Sequence, residues 1–94
     1  MVYLVVEKYA EMPVVVIFSK KGCKACEKAK EFFGEFLDRA IVVYISVDML
    51  PKEHRRKIAK LIRDKAKELN TDVTYPIILV DGRMMFGFYP EVFK

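Results

Sequence analysis

The apolar positions of this chain fall into blocks of two kinds. Some are short runs rich in β-branched residues: Val14 to Phe18, Ile41 to Val47 and Ile77 to Val80. The first, opened by Pro13 and closed by Ser19-Lys20-Lys21-Gly22, reads as a strand buried on both faces. Others repeat at helical spacing. Ala25, Cys26, Ala29, Phe32, Phe33, Phe36 and Leu37 form one stripe interleaved with Lys and Glu; Ile58, Leu61, Ile62, Ala66 and Leu69 form a second. Pro51 stands where a first helical turn tolerates proline, and Asn70 is a stop signal. Asp81-Gly82 is a two-residue hairpin signal, with Arg83 to Phe88 as the returning strand. The pattern predicts the order β-α-β-α-β-β, preceded by residues 1–12, where Val2 to Val6 could add a further strand.

Length and composition narrow this to an α/β domain. The 94 residues allow one domain, 1–94, with its core in 13–88. A hydrophobic share of 53% excludes a disordered tail or a low-complexity segment. The longest apolar run is too short to cross a bilayer, and the opening Met1 to Val6 lacks a basic flank and a cleavage site. The expectation is a soluble, cytoplasmic monomer with no membrane partner.

The net charge of +4 is unevenly spread. Lys52, Arg55, Arg56, Lys57, Lys60, Arg63, Lys65 and Lys67 stand together against Glu53 and Asp64. Such a run is commonly a solvated helix face. It has no aromatic interleaving or docking motif for nucleic acid, and could instead steer acidic proteins. A non-catalytic binding module using this helix is therefore one alternative function.

The chemistry lies in Cys23 and Cys26, the two cysteines of the chain. Cys23 falls where the first strand passes into the first helix, and Cys26 lies one turn inside. Residues three apart on a helix are neighbours at about 5–6 Å between Cβ atoms, within reach of a disulfide after small adjustment. The helix N-terminus offers unpaired N–H groups and the positive end of the macrodipole. A Cys23 thiolate is expected to be stabilised there, its pKa below the free value of about 8.5, with Lys20, Lys21 and Lys24 adding positive charge. Cys26, on the inward stripe, is expected to be desolvated and harder to ionise. This asymmetry fits an exposed nucleophile and a sheltered resolving thiol, with no bound cofactor other than the redox-active pair itself. Two other readings stay open. Half of a zinc site would need four ligands, and His54 is the one other soft donor. An inert pair is the second.

Cys23-Lys24-Ala25-Cys26 after a buried strand, with Thr74-Tyr75-Pro76 before the third, resembles the thioredoxin superfamily in its small glutaredoxin-like branch. Ser19-Lys20-Lys21-Gly22-Cys23 is similar to the glutaredoxin lead-in, with Lys20 where that family holds a lysine near the thiolate. The resemblance implies a thioredoxin-like fold, with a mixed central sheet and helices on its faces. It implies a thiol–disulfide oxidoreductase acting on protein or small-molecule disulfides, with glutathione or a separate reductase as electron donor. Pro76 would be cis and face the cysteines, the Tyr75 backbone would pair with an extended substrate or glutathione, and Thr74 and Gly87 would complete that binding site. An iron–sulfur role with one Cys23 per chain of a dimer also occurs among glutaredoxin-like proteins.

The departures are specific. The stretch after the hairpin reads Phe86-Gly87-Phe88-Tyr89-Pro90, with one glycine and no acid where glutaredoxins carry Gly-Gly and an acidic pair. The chain has no Trp, and Ile17 stands six residues before Cys23, where thioredoxins bury an Asp. Glu91 to Lys94 leave room for one turn of a truncated final helix, so that Phe86, Phe88 or Phe93 would be exposed or covered by a partner.

Overall fold

The computed structural model describes residues 12–93, the side chains of 92 and 93 excepted. The strand expected at Val2 to Val6 and the side chain of Phe93 lie outside the described residues. In chain order the elements are β1 (Val14–Ser19), α1 (Lys24–Gly34), β2 (Ile41–Ser46), α2 (Lys52–Glu68), β3 (Ile77–Val80) and β4 (Arg83–Phe86), with 3-10 turns at Val47–Met49 and Pro90–Phe93. The sheet order is β2-β1-β3-β4. β1 runs parallel to β2 and antiparallel to β3, and β3 and β4 form the hairpin. This is the mixed sheet expected of a thioredoxin-like fold.

The alternation of side chains along each strand assigns the two faces. Val15 and Ile17 lie opposite Val80 and Ile78 across the β1–β3 ladder, on one face. α1 packs there through Ala29 and Phe33, and Phe32, Phe36, Val42, Met85 and Phe88 extend the same cluster. The rings of Phe32 and Phe88 sit 5.5 Å apart, so Phe88 closes the core and is not left for a partner. Ile77 is buried on the other face, which α2 covers with Ile62 and Ala66. No described helix is long and apolar enough to cross a membrane.

Several boundaries differ from the sequence pattern. β1 is not buried on both faces: Val15 and Ile17 are buried, Val16 and Phe18 are half-buried and Val14 is exposed. A helix is about 10 Å across and strands lie about 4.8 Å apart, so α2 alone covers its face of the four-stranded sheet only in part. β2 stops at Ser46 because Val47 enters the 3-10 turn. α1 ends at Gly34, which leaves Leu37 in the following turn and exposed. In α2 the inward stripe is Ile58, Ile62 and Ala66; Leu61 is one position, about 100°, off it and is 64% exposed. Leu69 lies past the last turn and is exposed as well.

Asn70 ends α2 as expected. Its φ is +53°, with the Asn70 N–H on the Lys67 carbonyl and the Thr71 N–H on the Ala66 carbonyl, which is the Schellman arrangement. The hairpin is clasped to the start of β1. Val14 N–H donates to Asp81 Oδ1 at 2.9 Å, and Asp81 N–H donates to the Val14 carbonyl at 2.9 Å.

Candidate active site

Lys21-Gly22 turns the chain out of β1, and Gly22 has a φ of +77°, a conformation costly for any residue with a Cβ. Cys23 then takes the N-cap position of α1 with extended backbone, φ −95° and ψ 107°. Its sulfur does what a serine or aspartate oxygen does at such a cap: Cys26 N–H donates to Cys23 Sγ at 3.1 Å. Cys23 and Cys26 form a disulfide, their Cα atoms 5.2 Å apart. Cys23 is half-buried, and Cys26 is 5% exposed within the inward face of α1. The two sulfurs thus occupy unlike surroundings. One sits at the open, dipole-positive end of the helix with an amide N–H aimed at it, and the other lies in the apolar interior.

The Tyr75–Pro76 peptide bond is cis and Pro76 is buried. Phe18 pairs with Ile77, so Pro76 lies at the level of Ser19, where β1 enters the cysteine loop. Gly87 binds this segment from the far side. Its N–H is shared between the Thr74 carbonyl at 3.0 Å and the Pro76 carbonyl at 2.8 Å. That bond is why β4 stops at Phe86 and does not run on to Phe88: Gly87, buried and at φ +89°, turns out of the ladder and directs Phe88 onto α1. Among the described residues no hydrogen bond uses the backbone N–H or C=O of Tyr75. Thr74 is exposed.

Lys20 is exposed and its ammonium lies 5.1 Å from the centroid of the Tyr75 ring, a cation–π contact that joins the cysteine lead-in to the cis-proline segment. Lys24, first residue of α1, is exposed, and among the described residues no ion pair or hydrogen bond holds its side chain. Burial, and after it the nearby Asp48 carboxylate, push the Tyr75 phenol above its ordinary pKa, so it stays a neutral hydroxyl across the physiological range.

Three contributors were not legible in the sequence. Asp48 accepts a hydrogen bond from the Lys21 N–H and so ties the cysteine loop to the turn that leads into α2. Tyr44 and Lys30 pack together: the Tyr44 hydroxyl donates to the Lys30 carbonyl at 2.9 Å, and the Lys30 ammonium lies 5.6 Å from the Tyr44 ring. With Ser19, Ser46 and Glu27 they line a cleft of about 410 Å³ that reaches both cysteines. The available signal was positional. The C-terminal ends of adjacent parallel strands form a crevice, and Ser46 to Asp48 follow β2 there, but only the observed β1–β2 pairing reveals it. Among the described residues no three His, Cys, Asp or Glu side chains gather as a metal site.

A helix-capping cysteine joined to a second one turn on, beside a cis X-Pro that opens the neighbouring antiparallel strand, defines a dithiol protein of the thioredoxin fold. The family model of glutaredoxin matches residues 15–85, and the chain belongs to the glutaredoxin family, a family of thiol–disulfide oxidoreductases. Solved structures bear out the fold. A glutaredoxin from Archaeoglobus fulgidus superposes with a TM-score of 0.63 at 20% identity, over 92% of this chain and 87% of its own. Glutaredoxin 1 from Francisella tularensis gives 0.55 at 22% identity, over 81% and 84%. A wheat glutaredoxin gives 0.55 at 24% identity, over 90% and 70%. A search of curated proteins found no match.

Proposed function

We propose that this chain reduces disulfides through the Cys23–Cys26 couple, with Cys23 as the attacking sulfur and Cys26 as the resolving one. The observation that carries the reading is the Cys26 N–H donating to Cys23 Sγ at the cap of α1, with Cys26 itself buried. A hydrogen bond to a charged acceptor is worth about 1.5–3 kcal/mol, more than one to a neutral thiol, so the same N–H favours the thiolate in the reduced protein. Cys23 thiolate attacks one sulfur of the substrate disulfide; a mixed disulfide forms and the other substrate sulfur leaves as a thiolate that takes a proton. Cys26 gives up its proton, attacks Cys23 Sγ and expels the second substrate thiolate. Substrate gains two electrons and the pair becomes the disulfide seen here.

The unused backbone of Tyr75 supports an extended substrate segment laid across the cis-proline turn, which Thr74, Pro76 and Gly87 hold in shape. Exposed Lys20 and Lys24 supply positive charge at the mouth. The electron donor in this reading is glutathione or a flavin-dependent reductase, and the setting is the reducing cytoplasm, where a dithiol pair can cycle.

The test is reduction of insulin disulfides with either donor, run beside two variants. Cys23→Ser is expected to abolish turnover, and Cys26→Ser to accumulate a covalent Cys23–substrate adduct visible by intact mass. Turnover unchanged in Cys23→Ser, or an adduct formed through Cys26 in its place, would overturn the assignment.

A further inference from the structure

We infer that the disulfide substrates of this site are acidic proteins, held by a row of cations along α2; the inference rests on the oxidoreductase reading and names its substrate class. Lys52, Arg56, Lys60, Arg63 and Lys67 recur at spacings of four, four, three and four. At 3.6 residues per turn they fall within an arc of about 80°, in a line roughly 22 Å long. All five are exposed. The acids of the helix, Glu53, Asp64 and Glu68, project from the neighbouring flank, and the α2 ion pair that forms, Lys65 with Glu68 at 3.2 Å, uses none of the five. Among the described residues no carboxylate pairs with any member of the row.

The row begins close in sequence to a residue that holds the cysteine loop. Lys52 follows the Val47–Met49 turn closely, and Asp48 of that turn holds the Lys21 N–H of the cysteine loop. Exposed Lys20, Lys21 and Lys24 carry the same sign of charge to Cys23 itself. At the junction stands Met49, 83% exposed, a flexible apolar side chain of the kind that adapts to a partner surface. A row of cations along α2, with an exposed apolar side chain in the turn before it and further lysines around Cys23, matches a folded protein that carries acidic side chains near its disulfide. A phosphate backbone would use the cations and leave Met49 unused, and α2 carries no Phe, Tyr or Trp for base stacking.

The test uses the full chain and three substrates: two peptides with the same disulfide, one flanked by glutamates and one by lysines, and a small uncharged dialkyl disulfide. The acidic peptide is expected to show a kcat/KM about tenfold or more above the lysine peptide at low salt. The ratio should shrink as salt rises from about 0.02 M to about 0.3 M. The pair Arg56→Glu with Arg63→Glu should lose most of the preference while turning over the uncharged disulfide at the original rate. Equal kcat/KM for the two peptides, or a preference that survives the charge reversal, would overturn the inference and leave the oxidoreductase reading standing. Equal rates together with retention of a DNA duplex by the original chain alone would give the row to nucleic acid and overturn it as well. Failure to reduce any of the three substrates would sink both readings together.

Discussion

Replacing Gly87 and Gly34 by alanine makes the same chemical change at two sites and is expected to move stability in opposite directions. Gly87 has a φ of +89°, and a Cβ there would lie 3.1 Å from Tyr89 Cε2 and 3.3 Å from its hydroxyl. The backbone conformation alone costs an alanine about 1–2 kcal/mol. The ring contact adds less, since Tyr89 is 55% exposed and free to swing outward. Gly87→Ala should therefore destabilise by about 1–3 kcal/mol, and a domain of this size loses about 4–8 °C of Tm per kcal/mol. Gly34 lies in α1 with ordinary φ and no atom within 4 Å of a built Cβ, so Gly34→Ala should stabilise by about 0.5–1 kcal/mol. Thermal and urea unfolding of both variants measure this. Tyr89→Ala in the Gly87→Ala background separates the causes: most of the loss should remain. If truncating Tyr89 restored full stability, or if Gly87→Ala left Tm unchanged, the conformational argument would be wrong.

Two further outcomes follow from the core and from the tyrosines. Ile17 is fully buried at the centre of the α1 face, so Ile17→Ala should cost about 2–5 kcal/mol in urea unfolding, and a cost near that of a surface mutation would refute the assigned core. The folded-state pKa values of Tyr75 and Tyr44 lie above the unfolded value of 10.0, through burial in both cases and through Asp48 in addition for Tyr75. The folded chain therefore keeps protons that the unfolded chain releases; the contribution is intact below about pH 10 and is lost as pH rises through the raised values. Tm should fall on the alkaline side, and Asp48→Asn should lower the Tyr75 titration followed by phenolate absorbance; a titration unmoved by that change would remove Asp48 as a cause.

Much of the fold was legible because it rests on short-range periodicity. The β-branched runs became β1, β2 and β3, the Phe33 and Ile62 stripes became α1 and α2, and Asn70 closed α2. Cys23 and Cys26 could be placed at a helix start for the same reason. What stayed hidden depends on pairings between distant segments. The exposure of Leu61 follows from which flank of α2 meets the sheet, a choice among apolar positions that spacing alone leaves open. The early end of β4 follows from the Gly87 N–H finding the Thr74 and Pro76 carbonyls. The tie from Asp48 to the cysteine loop needs β1 and β2 to lie side by side and parallel.

Among the described residues the interior holds no polar or charged side chain at all. Carboxylates, ammoniums and imidazole therefore sit where water already reaches them, and changing their protonation imports no charge into the centre of the molecule. The reactive atom enclosed there is the sulfur of Cys26. Making or breaking the Cys23–Cys26 bond therefore reaches into the described interior, whereas the carboxylate ties of Asp48 and Asp81 lie at its exposed rim.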